Sequence, residues 1–214
     1  MLLSKYVGEL NEKQHQYVKE IYAGNLRMVE LVNALLNVSR LDLGTFAIEP
    51  EPTNIAEISD SVLGELTPQI NTKRMTINRL YDSNVGMYSG DPKLLRIILQ
   101  NFLTNSVKYT AEGGQITVEV AKREANLYIR VSDNGYGIPK HQQAKIFEKL
   151  FRADNVRQRD TEGTGLGMYI VKAIVEESGG KITFESEEDK GTTFHVYLPI
   201  GGMPKKTGTK GLTA

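Results

Sequence analysis

The sequence lacks cysteine altogether, which excludes disulfides, thiolate catalysis and zinc sites built on cysteine. It also lacks an apolar run near the roughly 20 residues that cross a bilayer. The first ten residues, MLLSKYVGEL, have neither the basic segment nor the long apolar core of a signal peptide. We therefore expect a soluble, cytoplasmic chain without a membrane segment, and we leave open a membrane anchor in a longer parent.

The sequence also has no excess of positive or negative charge, because 26 basic side chains balance 26 acidic ones over 214 residues. This balance predicts no nucleic-acid partner and no attraction to an anionic membrane. Hydrophobic residues at 40% and charged residues at 24% are normal for a globular protein. The length fits one domain of ordinary size, or one domain with a helical appendage.

The first clear element is a long amphipathic helix over residues 11–41. Its apolar residues are three and four apart, which makes a wide stripe along the helix. Such a stripe needs partner helices in a bundle or coiled coil. An ordinary packing helix within one domain is the alternative interpretation. Gly44 is the expected C-terminal cap.

After residue 45 strands and helices alternate, which predicts an α/β fold. We predict strands over residues 46–49, 75–77, 85–88, 115–121, 127–132, 181–186 and 192–198. We predict helices over residues 55–70, 94–109, 140–151 and 164–177, with Asn54 and Asp91 as N-caps of the first two. The small, polar end, residues 201–214, is expected to be a flexible tail.

Two glycine-rich segments adjoin these elements. DNGYGIP, residues 133–139, directly follows a strand, and GTGLG, residues 163–167, opens a helix. Glycine lets the backbone approach a phosphate closely, and free N–H groups at a helix start favour the anion. Each segment by itself is more often only a turn. Neither matches the P-loop or the Rossmann pattern.

One predicted helix carries Asn101, Asn105 and Lys108 at spacings of four and three, which place the three side chains on one face. Amide oxygens are hard ligands that suit Mg²⁺. This face could therefore seat a magnesium triphosphate. A solvated polar stripe is the alternative interpretation.

In order and spacing, these segments resemble the motif boxes of the histidine kinase catalytic domain. NFLTNSVKYT resembles the N box, DNGYGIP the G1 box, IFEKLFR the F box, GTGLGMYIVK the G2 box and KGTTFHVYLP the final strand pair. The resemblance covers about residues 45–199. It implies an α/β fold of the Bergerat (GHKL) type, a two-layer α+β sandwich in which a mixed β-sheet packs on helices, preceded here by the long α-helix.

The resemblance also implies two ligands, ATP and Mg²⁺. Asp133 would accept a hydrogen bond from the exocyclic amine of adenine, and Asn105 with Asn101 would hold Mg²⁺. Phe147 belongs to the implied nucleotide-binding set, although its spacing from Phe151 favours anchoring of a lid. The full implied set is Asn101, Asn105, Lys108, Tyr109, Asp133, Gly135, Gly137, Ile138, Phe147, Gly163, Thr164, Gly165, Leu166, Gly167 and Thr192.

For phosphoryl transfer, the resemblance implies catalytic roles for Asn101, Lys108 and Arg152, since charge stabilisation and positioning dominate this chemistry. Arg157 and Arg159 lie in the expected lid between the F and G2 boxes. They either neutralise the γ-phosphate or are solvated in a mobile loop, and both interpretations stay open.

The resemblance extends to NALLNVSRLDLG, residues 33–44, which is similar to the second helix of the dimerisation and histidine-phosphotransfer hairpin. MLLSKYVGEL is similar to the end of the first helix and the loop. In that family the first helix begins with an acceptor histidine followed by Glu-Leu-Arg-x-Pro, and this sequence has no such motif. None of His15, His141 and His195 has the local sequence of an acceptor. We therefore expect the chain to begin after the acceptor.

The leading hypothesis is thus the ATP-binding catalytic core of a sensor histidine kinase. Residues 1–44 would be a truncated hairpin, residues 45–200 the catalytic domain and residues 201–214 the tail. The implied partners are ATP and ADP, the receiver domain of a response regulator, and a second copy in a homodimeric parent. We expect weakened dimerisation and no autophosphorylation of this fragment.

Two other functions remain open from the residues. The first is a nucleotide-binding interaction or regulatory module without kinase activity, which the lack of an acceptor favours and the intact Asn101, Asn105 and Asp133 disfavour. The second is a serine kinase or ATPase with the same fold, which the N box disfavours. Fold alone does not decide among them.

Overall fold

The computed structural model of the protein describes residues 10–157, 163–208 and 211–212. Its helices are α1 (Glu12–Asp42), α2 (Ile55–Thr72), α3 (Pro92–Tyr109), α4 (Asp154–Arg157) and α5 (Gly167–Glu177). Its strands are β1 (Glu51–Thr53), β2 (Thr76–Tyr81), β3 (Tyr88–Gly90), β4 (Gln115–Arg123), β5 (Asn126–Asp133), β6 (Lys181–Glu187) and β7 (Gly191–Pro199). Residues 1–9 of the expected hairpin, the Arg157 side chain and Arg159 lie outside the described residues.

Five strands form one twisted layer in the order β2-β4-β5-β7-β6. Strand β2 is parallel to β4, and the remaining neighbours are antiparallel. Helices α2, α3 and α5 pack on the sheet, where alternate strand residues such as Val118, Val131 and Val196 are buried with the apolar faces of the helices. A mixed sheet packed on helices and preceded by a long helix confirms the predicted fold class.

Helix α1 begins at a capping box in which Asn11 and Gln14 bond each other's backbone N–H groups. It ends before Gly44, whose φ of +63° matches the predicted cap. The apolar side chains before the last turns are exposed: Tyr17, Ile21, Tyr22, Leu26, Met28, Val29, Leu31, Val32, Leu35 and Leu36. Within the described residues no second helix covers this stripe, so the expected partner helix stays a prediction.

The N-caps are as predicted. The Asn54 side chain accepts hydrogen bonds from backbone N–H groups at the start of α2, and the Asp91 side chain accepts them from backbone N–H groups at the start of α3. None of the helices in the described ranges combines the length and apolarity of a membrane span.

Three predicted elements are wrong in position or type. Residues 46–49 form only an isolated bridge, and the strand is β1, whose Pro52 pairs opposite Ser89. Proline fits there because a two-stranded sheet leaves an open edge. Residues 140–151 hold a short 3₁₀ helix, Lys140–Lys145, instead of an α-helix.

The 3₁₀ segment forms because its polar side chains make tertiary hydrogen bonds. Gln142 pairs with Asp154, and Gln143 donates to the carbonyls of Ile138 and Ser186. A further difference is that Val85, predicted in a strand, lies in a 3₁₀ turn before β3.

The C-terminal segment, expected to be a flexible tail, packs against the connection between α1 and β1. Ile48 and Lys206 exchange backbone hydrogen bonds of 2.9 and 3.1 Å. Met203 and Leu212 are only 5% and 4% exposed. The prediction is therefore wrong for the described part of this segment, because local composition does not show that a partner backbone lies within reach.

Candidate functional site

A cavity of about 760 Å³ opens between α3, the loop after β5 and the start of α5. This volume is typical of small-ligand sites. Its predicted lining residues are Asn101, Asn105, Lys108, Tyr109, Asp133, Gly137, Ile138, Arg152, Gly163, Thr164, Gly165, Gly167 and Thr192. Residues of all five motif segments, which are far apart in sequence, thus meet at one cavity.

Asp133, the last residue of β5, is the most constrained polar group of the cavity. Its Oδ2 accepts a 2.9 Å hydrogen bond from the Ser106 hydroxyl of α3. Its Oδ1 accepts from the backbone N–H groups of Gly135, at 3.0 Å, and Thr192, at 3.2 Å. Burial raises the pKa of the Asp133 carboxyl, and these three hydrogen bonds partly oppose that rise. The carboxylate is therefore fixed in orientation.

Glycines allow the backbone to close around Asp133. A Cβ at Gly191, which has a φ of +114°, would overlap the Asp133 carbonyl oxygen. A Cβ at Gly137, which has a φ of +60°, would overlap the Glu187 carbonyl oxygen. The loop is further held by Asn155 of α4, whose amide donates to the Gly137 carbonyl at 3.0 Å. Only glycine fits both positions without displacement.

Helix α3 brings Asn101, Asn105 and Lys108 to the same wall, as the four-and-three spacing predicted. The Asn101 amide N–H₂ donates to the Ile97 carbonyl at 2.8 Å, which fixes the side chain. A Cβ at Gly167 would overlap Asn101 Oδ1, so this oxygen lies against the start of α5. The end of α3 is closed by Lys73, whose ammonium donates to three of its last carbonyls.

Arg152 and the glycine segment form another part of the cavity wall. The Arg152 guanidinium donates to the Gly163 carbonyl at 3.4 Å. Gly165 has a φ of +69°, and a Cβ there would lie 2.7 Å from the Leu150 backbone. The two segments therefore pack backbone to backbone beside the cavity.

Three predicted nucleotide-binding residues do not line the cavity. Leu166 is 1% exposed and belongs to the hydrophobic core. Phe147 packs edge-on against Phe184, with ring centroids 5.9 Å apart, in keeping with an anchoring role. Gly135 is buried behind Asp133, where a Cβ would overlap the Tyr109 carbonyl oxygen. These three residues therefore do not form the surface of the cavity.

The structure adds residues that sequence reasoning missed. Ser106 positions Asp133, and Phe194 of β7 lines the cavity. More unexpectedly, α1 contributes Glu30, Leu31 and Ala34 to the wall. No local pattern in the sequence indicates that a helix about 70 residues before the N box would reach this cavity.

Carboxylates and imidazoles do not assemble into a metal site among the described residues. The histidines are also separate from the cavity lining described above. His195 lies on β7, where its Nδ1 is 2.7 Å from the Tyr128 hydroxyl. Any divalent cation in the cavity would therefore rely on amide oxygens, a carboxylate, water and ligand oxygens, which is the donor set that Mg²⁺ accepts.

Comparison with known proteins identifies a family and relatives that resemble this chain. The family described as histidine kinase-, DNA gyrase B-, and HSP90-like ATPase matches residues 90–202. The circadian input-output histidine kinase CikA of Synechococcus elongatus is 33% identical over 200 residues, which are 92% of this chain and 26% of CikA. The sensor histidine kinase WalK of Bacillus subtilis is 36% identical over 177 residues, which are 81% of this chain and 28% of WalK.

The chain thus spans about a quarter of the length of these two curated relatives. Among solved structures, full-length ShkA in complex with AMPPNP superposes with a TM-score of 0.78 at 26% identity. That match covers 93% of this chain and 41% of ShkA.

Proposed function

Because the chain belongs to the family of histidine kinase-, DNA gyrase B- and HSP90-like ATPases, and contains its ATP-binding catalytic domain, we propose that it is the catalytic core of a sensor histidine kinase. It binds Mg-ATP in the cavity beside Asp133. It transfers the γ-phosphate to a histidine of a dimerisation hairpin, from which a response regulator receives the phosphate. Residues 45–200 form the catalytic domain, and residues 1–44 belong to the hairpin.

The observation that carries this proposal is the fixed carboxylate of Asp133 in a cavity that also contains Asn105 and Lys108. An ionised carboxylate is an acceptor only, so it selects a ring with an amine donor such as adenine. Thr192 and the backbone at Gly137 lie beside it and would contact the base. The complex of the ShkA neighbour with AMPPNP, an analogue of ATP, supports the same ligand.

The opposite end of the cavity suits a triphosphate. Asn105, with Asn101, would hold Mg²⁺ there, and the ion would supply charge neutralisation at the phosphates. Lys108 and Arg152 add two fixed positive charges, and the backbone N–H groups of residues 163–167 at the start of α5 can donate to phosphate oxygens. Phosphoryl transfer depends mainly on such positioning and charge stabilisation. These residues therefore orient the γ-phosphate for attack.

The partners of the whole protein follow from the same proposal. The acceptor histidine lies on a helix that pairs with α1, because the exposed apolar stripe of α1 requires a helical partner. That pairing also makes the parent a homodimer, with dimerisation weakened in this fragment. His15, His141 and His195 are not assigned as acceptors, because none of them has the local sequence of the family's acceptor.

The proposal is tested by incubating the chain with γ-labelled ATP and Mg²⁺, alone and with a recombinant histidine-phosphotransfer hairpin. We expect retained nucleotide on the chain, no covalent label on it, and acid-labile, base-stable label on the hairpin. Asp133→Asn is the matched control and should remove both signals. Nucleotide that binds equally well without Mg²⁺, together with an unlabelled hairpin, would instead favour a regulatory nucleotide-binding module. Label on the chain itself would make one of its own histidines an acceptor.

A further inference from the structure

The last turn of α1 is tied to both segments that flank the phosphate end of the cavity. Asp42 Oδ2 accepts from the Lys149 ammonium at 2.5 Å, and Asp42 Oδ1 accepts from the Tyr169 hydroxyl at 2.5 Å. The Lys149 ammonium also lies over the Tyr169 ring, 4.8 Å from its centroid. The three side chains therefore form one cluster, which joins three separate parts of the chain.

The partners of Asp42 are close in sequence to residues of the cavity wall. Lys149 precedes Phe151 and Arg152, which line the cavity. Tyr169 follows Gly167 and Met168, which line it as well. One carboxylate thus bonds at once to the middle of the F box and to the first turn of α5.

Helix α1 is itself part of that wall. Glu30, Leu31 and Ala34 line the cavity two to three turns before Asp42. Between these residues and Asp42, Val38 and Leu41 are buried, each 8% exposed, and belong to the hydrophobic core. The bonds of Asp42 therefore act at the end of a helix whose preceding turns close one side of the site.

We propose that Asp42 is a positioning residue that holds α1 against the cavity and thereby slows the release of bound nucleotide. The inference rests on the proposed function, since it assigns an effect on ATP binding to a residue outside the nucleotide site. Loss of the two Asp42 bonds loosens the end of α1 and its contact with the segments that carry Arg152 and Gly167, although Val38 and Leu41 remain packed in the core. The nucleotide is then held less tightly by this wall of the cavity.

The chemistry of the cluster agrees with a persistent contact at neutral pH. The hydrogen bonds from Lys149 and Tyr169 lower the pKa of the Asp42 carboxyl. The hydrogen bond to Asp42 raises the pKa of the Lys149 ammonium. Both partners therefore stay charged across the neutral range. Because the Asp42 and Lys149 side chains are 39% and 43% exposed, solvent screens the pair and its effect is modest.

The first measurement uses the nucleotide-free chain and follows amide hydrogen exchange. In Asp42→Asn we expect faster exchange in residues 30–36 of α1 and in residues 163–169, with unchanged exchange in β4 and β5. The matched control is Glu112→Gln, which removes the exposed pair between Arg74 and Glu112 at 3.5 Å. Unchanged exchange in α1 of Asp42→Asn would overturn the proposal whether or not the chain binds ATP.

The second measurement is the dissociation rate of a fluorescent ATP analogue with Mg²⁺, followed by stopped flow. Asp42→Asn and Lys149→Met should each release it about two- to fivefold faster, as expected for one exposed ion pair. The double variant should release the analogue no faster than Asp42→Asn alone, and the charge-reversed Asp42→Lys with Lys149→Asp should recover part of the loss. Additive effects of the two single substitutions would contradict the shared contact. If the unsubstituted chain does not bind the analogue, the proposed function is wrong. The exchange experiment then still tests whether Asp42 holds α1 in place.

Discussion

The Ser106 hydroxyl of α3 donates a 2.9 Å hydrogen bond to Oδ2 of Asp133 at the end of β5. Two backbone N–H groups donate to the other oxygen of the same carboxylate. A buried carboxylate is costly unless such donors surround it. This arrangement holds one charged acceptor in a fixed direction inside the cavity. The first three predictions follow from it.

Asp133→Asn should separate nucleotide binding from folding. The asparagine oxygen can still accept from Gly135 and Thr192, and its amide can donate to Ser106, so the local hydrogen bonds survive. Because burial raises the pKa of Asp133, a neutral side chain of equal size should not lower the melting temperature. Adenine binding should fall by at least about tenfold, since a donor then faces a donor. Calorimetric titration and thermal melting test this, and a melting temperature that falls together with affinity would show a structural role instead.

Nucleotide affinity should decline as the pH is lowered toward the raised pKa of Asp133. The protonated carboxyl donates where the ionised form accepts, so binding requires the form present above that pKa. The stability of the fold depends on pH in the opposite direction. The folded state binds the Asp133 proton more tightly than the unfolded state, so the contribution of Asp133 to stability decreases as the pH rises through its folded pKa.

Ser106→Ala tests the role of the Asp133 carboxylate by changing its pKa and not its identity. It removes a hydrogen bond that lowers the Asp133 pKa, so the midpoint of the pH dependence of binding should move to higher pH. Affinity measured from pH 4.5 to 8 in both proteins gives the two midpoints. A midpoint unchanged in Ser106→Ala would exclude Asp133 as the titrating group.

Gly167→Ala should damage the site although alanine normally stabilises a helix. A Cβ at Gly167 would overlap Asn101 Oδ1, which must shift away from the start of α5. We expect nucleotide affinity to fall by about tenfold or more, because a displaced ligand group affects phosphate positioning strongly. Gly64→Ala in α2 is the control, since the Cβ of an alanine at this position would have nothing within 4 Å. That substitution should stabilise the protein by about 0.5–1 kcal/mol and leave affinity unchanged.

His195 should make the protein less stable in mild acid. Burial lowers the pKa of its imidazole, and the structure shows no hydrogen-bond partner for Nε2 among the described residues. The folded state therefore binds a proton on His195 more weakly than the unfolded state, in which the imidazole has its ordinary pKa of 6.5. This contribution to stability is present above that pH and is lost as the pH falls through the folded pKa. Urea unfolding of wild type and His195→Gln at pH 7.5 and 5.0 should show the smaller loss in the variant; equal losses would be inconsistent with this assignment.

Met203→Ala should reveal the packing of the C-terminal segment. Met203 is 5% exposed, and truncation of a buried methionine costs about 2–5 kcal/mol in the free energy of unfolding. Lys205→Ala, at an exposed neighbouring position, should change stability by less than about 0.5 kcal/mol. Chemical denaturation of the two variants measures both values, and equal stability would show that the segment contributes nothing to folding.

The sequence by itself determined the parts of the site that are local. The N-cap at Asp91 and the spacing of Asn101, Asn105 and Lys108 specify a helix with one polar face, because helical periodicity acts over three and four residues. The glycines of residues 133–139 and 163–167 were likewise evident, since glycine permits turns and close backbone approach that other residues do not. The same local reasoning placed a strand over residues 46–49 and left the C-terminal segment loose, because it could not show which backbone lay opposite.

Only the tertiary structure decided which distant residues meet. Ser106 and Asp133 are 27 positions apart, and Asp42 lies 107 and 127 positions from Lys149 and Tyr169. The wall that α1 adds to the cavity belongs to the same class of contact. Such contacts depend on how the helices pack on the sheet, and packing depends on the shape of the whole core rather than on the pattern of any one segment.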